Sequence, residues 1–582
     1  MDELAQMSLL QGGASDADFM LKFGSDANAR AAAVIMFELA RHHGSSLASH
    51  WSNIVASVCT LLSHRLLPSS IFVVEDMQGN RAELPQPADR PPARNGGLFS
   101  FLWQGSSDNA EYEAALKAAR ECAAACAVPE LLEETDVLTE SSVTHLLSAL
   151  AAASRTPIGP DGATVLDPVA APLLLETMVR VVLRNKDRAP RIWAPLHAHL
   201  MLVLSDAHAP PLLIERAHVS VFRLAHRLVQ SDAMAPSLVE TIRLLASPAS
   251  PAIDAQTAVH RASGVDVFVR AHWANMRSGA LWRAILTVLR ACAGNADAAA
   301  IACELVAFLF DDGEASLFAE PFEVFGDVAE LLLRVIAEAA PQTRASISAA
   351  ARSSPAQQAA GGVSRSGTPV ASSREDAQAP SLRAIKALTM LAGLAMRVGD
   401  FRARVLQSCP PESLPFPVRP QGGDAASNVD DEARTTLWLF ERCWLKVLTG
   451  LGQNSCHPLR PVRAAALTLL QKTLMLPDLA ALAPEQKAAC FHLLVFPLLD
   501  NLLASPVAAA DLQGGEGLEE VRIRACNMMC KLFLHDLAAL AQRSDFVALW
   551  MRVIDYVQRY IALNSDQLVR QVLFGLCVWW CF

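Results

Sequence analysis

Apolar residues recur along most of this chain at the spacing of a helix. Ala33, Met36, Phe37 and Ala40 share one helical face, and Ile54, Val58, Leu61 and Leu62 repeat the pattern one segment later. Val221, Leu224, Ala225 and Leu228 form a third stripe, Ala466, Leu469, Leu470 and Leu474 a fourth, and Trp550, Val553, Ile554, Val557 and Ile561 a fifth. Each stripe gives a helix one face that must be buried against a neighbour. Sustained strict alternation, the mark of a half-buried strand, is hard to find, and only three Tyr occur. The pattern predicts an all-α protein.

Helices that each need a partner stack into bundles or solenoids. Three segments resemble the inner helix of a HEAT-type pair: Asn28-Ala29-Arg30-Ala31-Ala32-Ala33, Pro461-Val462-Arg463-Ala464-Ala465-Ala466 and Val521-Arg522-Ile523-Arg524-Ala525-Cys526. Each sets an Arg near the helix start, then small residues that let a neighbour approach. The three do not recur at a constant period. The expected architecture is therefore an irregular α-solenoid of HEAT-, armadillo- or TPR-like helical repeats with disordered linkers. Pro85, Pro87, Pro91, Pro92 and Gly96-Gly97 mark a break at 77–107, and a stretch rich in Ala, Ser, Arg and Gly marks another at 341–380. Such compositions favour linkers over packed structure. They delimit helical blocks at 1–76, 108–340 and 381–570, with an atypical tail at 571–582. Shorter breaks are expected near Thr156–Pro168, Cys409–Asp431 and Ser505–Gly517.

Composition narrows the function. Of 582 residues 52% are hydrophobic and 19% charged, which excludes wholesale disorder. Lys and Arg number 49 against 59 Asp and Glu, a net charge of −10, and this argues against a nucleic-acid partner. The 13 Cys have no framework spacing, and Met1-Asp2-Glu3-Leu4 is acidic where a signal peptide is basic. Reduced thiols in the cytosol are expected. No uncharged apolar run approaches the ~18 residues of a spanning helix, and the closest, Phe574 to Phe582, is too short. A soluble or peripheral protein is expected.

No motif specifies a self-contained active site. His197 and His199 lie two apart, so on a helix they face different ways and make a poor metal pair. Cys122/Cys126, Cys526/Cys530 and Cys577/Cys581 each put two thiols on one helix face, without the further ligands that structural zinc needs. Buried core thiols are the better reading. Gly450-Leu451-Gly452 lacks the third glycine and the strand of a dinucleotide site and is expected to be a helix stop. Neither a metal nor a cofactor is expected. Leu98-Phe99-Ser100-Phe101-Leu102-Trp103 stands out, because Leu98, Phe99, Phe101, Leu102 and Trp103 are large and apolar between glycine-rich flanks. Two readings stay open: an anchor that docks back on the solenoid, or an exposed membrane or partner segment. Ser354-Pro355 and Thr368-Pro369 among arginines are plausible sites of proline-directed phosphorylation.

Several segments, in order, resemble the large Golgi-type Arf guanine-nucleotide exchange factors of the GBF/Gea/GNOM group. They are Phe23-Gly24 through Ala40-Arg41-His42-His43-Gly44, Trp51-Ser52-Asn53-Ile54 and Leu66-Leu67-Pro68 ahead of Val74-Glu75-Asp76. Leu175-Glu176-Thr177-Met178-Val179-Arg180 through Arg188 follows with Trp193, then Ile214-Glu215-Arg216-Ala217 leading into Leu224-Ala225-His226-Arg227-Leu228. Val462-Arg463-Ala464-Ala465-Ala466-Leu467, Phe496-Pro497-Leu498-Leu499 and Phe546-Val547-Ala548-Leu549-Trp550 complete the set. The resemblance covers about 20–565 and implies the helical region downstream of the family's catalytic Sec7 domain.

That domain is not recognisable in the sequence. Its exchange loop carries Phe-Arg-x-Pro-Gly-Glu, whose Glu displaces the nucleotide phosphate and magnesium, and no Pro-Gly-Glu occurs here. The resemblance implies a regulatory and membrane-targeting scaffold, not an enzyme by itself, acting in Arf activation and vesicle transport. It further implies an Arf-family GTPase as partner through a parent protein, Golgi membrane lipids, a Rab GTPase as a further candidate, and a cytoplasmic location peripheral to Golgi membranes. After about Asn564 the family continues as helix, whereas this sequence runs to Val578-Trp579-Trp580-Cys581-Phe582, so a truncated product or a piece of a longer protein is expected. The alternative is a generic helical-repeat adaptor without the Arf connection.

Overall fold

The computed structural model describes residues 1–11, 16–86, 106–158, 163–319, 321–341, 372–408, 436–504 and 517–562. Apart from two short hairpins these residues form helices and their connections, an all-α helical-repeat solenoid. The chain divides into two compact units, Met1–Asn275 and Met276–Phe582. Their boundary lies within the stretch 108–340.

The first unit opens with α1 (Asp2–Met7), α2 (Asp16–Ser25), α3 (Ala27–His43) and α4 (Trp51–Ser63). Then come β1 (Val73–Glu75), β2 (Arg81–Glu83), α5 (Ser106–Ala125), α6 (Val128–Glu133) and α7 (Glu140–Ala153). After β3 (Arg155–Ile158) and β4 (Ala163–Leu166) it continues with α8 (Ala170–Arg184), α9 (Ala189–Ser205), α10 (Pro211–Leu228), α11 (Ala235–Leu244) and α12 (Pro251–His272). Neighbours in sequence are neighbours in space, as a solenoid requires: α7 packs on α4, α8 and α9, and α10 packs on α8, α9, α11 and α12. Asp26 starts α3 by accepting the N–H groups of Asn28 and Ala29 at 2.8 and 3.1 Å, and Ser250 does the same for α12 through Ile253.

The helices before and after the first expected linker share one core, since α2 and α3 pack on α5 and α4 on α7. Small residues permit the close approach. A Cβ added at Gly24 would lie 2.1 Å from the Ala115 carbonyl oxygen. Trp51 is fully enclosed and donates its indole N–H to Ser142 Oγ at 2.7 Å, and Ser142 passes the bond on to the Gly44 carbonyl at 2.6 Å.

Two of the expected breaks hold ordered strands. Residues 77–86 carry β2, which pairs antiparallel with β1 in the register Val74↔Ala82. The Asp76 carboxylate accepts the N–H groups of Gln78 and Asn80, both at 2.8 Å, and Gly79 takes a positive φ of 85° to close the turn. The break at Thr156–Pro168 likewise holds the β3–β4 hairpin, with Thr156 opposite Val165. Strands of three or four residues give too short a period to read from sequence.

In the second unit one row of helices packs successively: Gly279–Cys292, Pro321–Ala337, Ser372–Ser408, Arg460–Leu474, Gly517–Leu540 and Phe546–Ile561. Ser372–Ser408 begins inside the second expected linker, so residues 372–380 are helix. Gly450 and Gly452 are not a helix stop. They lie inside the Leu445–Asn454 helix, where added Cβ atoms would each meet a leucine, Leu333 and Leu494, at 2.7 Å. The last expected stripe is rotated: Phe546–Ile561 buries Leu549, Val553, Tyr556, Val557 and Tyr560, while Trp550, Ile554 and Ile561 are half-buried. The two tyrosines enter the core because their hydroxyls donate to Asp500 Oδ2 at 2.6 Å and to the Leu499 carbonyl at 3.0 Å. The helical run Pro484–Ala504, whose most apolar 18-residue window has a mean hydropathy of 1.4, has the length and composition of a candidate span. Glu485, Lys487 and Asp500 break its uncharged stretch, and 56% of its most apolar window is buried within the protein.

Candidate functional site

Charges set inside apolar helices give the first unit its most unusual feature. On α8 the order Leu-Leu-Leu-Glu-Thr-Met-Val-Arg-Val-Val-Leu-Arg places Glu176, Arg180 and Arg184 four apart, on one face. On α10 Arg216, Arg223 and Arg227 are spaced by seven and four, also on one face. The two helices pack together, and these charges meet.

Glu176 is fully buried and anchors the network. Its Oε1 accepts Arg216 Nε at 2.7 Å, and its Oε2 accepts Arg223 Nη1 at 2.6 Å. Arg216 also donates to the Glu75 carbonyl at 2.7 Å, and Arg223 to Glu75 Oε2 at 3.2 Å. Arg227 Nη2 lies 3.8 Å from the same carboxylate. Arg180 donates to the carbonyls of Ile71, at 3.4 Å, and Val73. Arginines from α8 and α10 thus hold the base of the β1–β2 hairpin. Burying Glu176, Arg216 and Arg223 unpaired would be prohibitive; their mutual ion pairs and the bonds to Glu75 are what make it tolerable. Burial pulls the Arg180 guanidinium below its ordinary pKa, Arg223 adds to that pull, and Glu176, Glu133 and Glu75 oppose it.

The network opens into a cleft of about 710 Å³. Its cationic lining is Arg180, Arg184, Lys186, Arg223 and Arg227, against Glu75, Glu133 and Glu134, with Leu132 and Leu183 in the walls. Five cations face three anions there, an excess of two positive charges on a chain whose net charge is −10. The Arg223 side chain is 6% exposed, and its Nε is buried without an acceptor.

The sequence-based candidates are placed otherwise. Leu98, Phe99, Phe101, Leu102 and Trp103 lie outside the described residues, as do Ser354, Thr368, Cys577 and Cys581. His197 and His199 share α9 but diverge. His197 Nδ1 is 3.0 Å from Thr241 Oγ1, whereas His199 is buried, which depresses its pKa to about 4. Cys122 and Cys126 are buried in the first unit; in the second, Cys526 is buried and Cys530 half-buried. Among the described residues no group of three or more His, Cys, Asp or Glu is placed to hold a metal ion. Glu176, Arg216 and Arg223 were not singled out from sequence as site residues. The available signal was charge repeating at four and seven inside helices whose remaining positions are apolar.

Apart from Leu132, Glu133 and Glu134, the cleft is lined from segments that carry the resemblance: Val74-Glu75-Asp76, the Leu175–Arg188 run and the run ending in Leu224–Leu228. Comparison with known proteins extends that resemblance. Residues 444–573 match the family model described as GBF1-like, tetratrico peptide repeat region. The ARF guanine-nucleotide exchange factor GNOM of Arabidopsis thaliana is 25% identical over 95% of this chain and 36% of its own length. ARF guanine-nucleotide exchange factor GNL1 of the same plant is 22% identical over 93% of this chain and 34% of its own. The Golgi-specific brefeldin A-resistance guanine nucleotide exchange factor 1 homolog of Caenorhabditis elegans is 24% identical over 97% of this chain and 36% of its own. The chain therefore spans about a third of the length of these relatives. Over nearly its whole length it is similar to a helical-repeat region of the large Golgi-type Arf guanine-nucleotide exchange factors, with a GBF1-like repeat region towards its end.

Proposed function

We propose that this chain is a non-catalytic regulatory and membrane-targeting region of an Arf guanine-nucleotide exchange factor acting in Golgi vesicle transport. The observation that carries the reading is the similarity to named Arf exchange factors along more than nine-tenths of the chain. The absence of Pro-Gly-Glu from the sequence supports a role that does not include the exchange step itself. In this reading the parent protein engages an Arf-family GTPase, and the helical region sets where and when it does so, on cytoplasmic Golgi surfaces. A Rab GTPase is a further candidate partner for the same surface-recruitment role.

Membrane contact falls to the Leu98–Trp103 segment. Full transfer of one large apolar side chain from water contributes about 1.5–3 kcal/mol, less the cost of ordering its chain. Leu98, Phe99, Phe101, Leu102 and Trp103 therefore give weak, reversible attachment, and the net charge of −10 directs it to weakly charged bilayers. Replacing Phe99, Phe101 and Trp103 with Ser should lower co-sedimentation with neutral phosphatidylcholine liposomes and leave the helical circular dichroism intact. Unchanged co-sedimentation would remove the membrane role, and a lowered melting temperature would favour docking of the segment on the solenoid.

A further inference from the structure

We propose that the charged cleft of the first unit is a docking site for an acidic protein segment, whose carboxylates complete the arginine network of α8 and α10. The inference deepens the regulatory reading above and rests on it only for the role of such a partner. Its physical basis is local. Arg216, Arg223 and Arg227 share two carboxylates, Glu75 and Glu176, and Glu176 is already bonded to Arg216 and Arg223. The cleft side therefore offers the exposed Arg227, 3.8 Å from Glu75, together with the exposed Arg184 and Lys186, while both terminal nitrogens of Arg223 are spent within the network. Arg184, Lys186 and Arg227 beside the apolar Leu132 and Leu183 raise the positive potential at the opening. An incoming carboxylate would meet charge-assisted donors there, the strongest hydrogen bonds available to it.

The lining selects the kind of anion. Glu133 and Glu134 stand beside the cations, and Leu132 and Leu183 flank them. A continuous sheet of anionic headgroups would press on both glutamates and on a protein of net charge −10. A peptide brings a few carboxylates at chosen points, and its apolar side chains can cover Leu132 and Leu183. The mixed lining therefore fits an acidic segment with interspersed leucines better than a lipid surface.

The test measures fluorescence anisotropy of a fluorescein-labelled peptide, Gly-Glu-Leu-Glu-Glu-Leu-Gly, titrated with the full chain. Lys186 and Arg227 are exposed, so the double variant Lys186→Glu, Arg227→Glu should keep the fold. Arg243→Glu, on exposed α11 surface, serves as control. Binding should weaken about ten-fold or more in the double variant, stay unchanged in the control, and fall with rising salt. A peptide with Gln in place of Glu should not bind. Equal binding by wild type and double variant, or equal binding of the Gln peptide, overturns the proposal. Loss of binding to phosphatidylserine vesicles in the double variant, without peptide binding in the wild type, overturns it in favour of a headgroup site. None of these results depends on Arf exchange, so failure here is distinguishable from failure of the regulatory reading.

Discussion

At the scale of single residues, the fully buried Glu176 holds Arg216 and Arg223 of α10 and thereby ties α8 to α10. Met36, Phe37, Val58, Leu61 and Leu224 are buried as their spacing predicts, since periodicity reports burial directly. Glu176 is buried too, and periodicity alone reads a charge in an apolar run as an imperfection. Its partners come from α10, forty residues on and beyond, where no local pattern links them. Glu176→Gln should destabilise the first unit by about 3–5 kcal/mol, because Arg216 and Arg223 then remain buried without their counter-charge; urea unfolding measures it, and an unchanged midpoint would mean that the network is open to water. Buried histidines add a pH term. His218 faces His260 and Arg261 of α12, and burial followed by those two charges depresses its pKa from 6.5 to about 3. His226, beside His272 at 2.9 Å, Phe268 and Arg227, is depressed to about 4, again chiefly by burial. Both are neutral in the fold and protonate first in the unfolded chain. Their contribution is therefore complete above about pH 6.5 and is lost as pH falls from there towards 3. The urea midpoint should drop between pH 7.5 and 5, and less steeply in His218→Gln.

At the scale of elements, the helices were legible and the hairpins were not. A helix of four turns repeats its pattern often enough to be read, whereas β1 and β2 have three residues each and owe their pairing to the Asp76 turn and to the arginines beneath. Gly450 and Gly452 were misread as a helix stop, because close approach of a neighbour leaves no mark in the local sequence. Two other helical glycines separate soft from hard contacts. A Cβ at Gly264 of α12 would fall 2.2 Å from the Phe222 ring of α10, and one at Gly24 of α2 would fall 2.1 Å from the backbone oxygen of Ala115. Alanine gains up to about 1 kcal/mol in helix propensity, against an overpacking cost of about 1–3 kcal/mol or more. Gly264→Ala should therefore destabilise modestly, with the ring turning aside. Gly24→Ala should cost more, since α2 and α5 must separate. Thermal unfolding of the two variants side by side checks the order, and the reverse order would contradict the packing described for α2 and α5.

At the scale of the whole molecule, the solenoid character followed from helices that cannot bury their faces alone, and the resemblance followed from the order of segments rather than from any one of them. The division at Asn275 was not legible, because α12 and the Gly279–Cys292 helix are joined by a short connection with no linker composition. The cleft, the hairpin beside it and the helical rows supply surfaces and scaffolding, which the proposed regulatory role would use. The most direct measurement is the rate of GDP release from an Arf GTPase, followed by fluorescent-nucleotide exchange, with the purified chain as the only addition. The account predicts the intrinsic rate, unchanged across chain concentrations. Stimulation well above that rate would contradict it, and would require an exchange site that does not use the Pro-Gly-Glu motif.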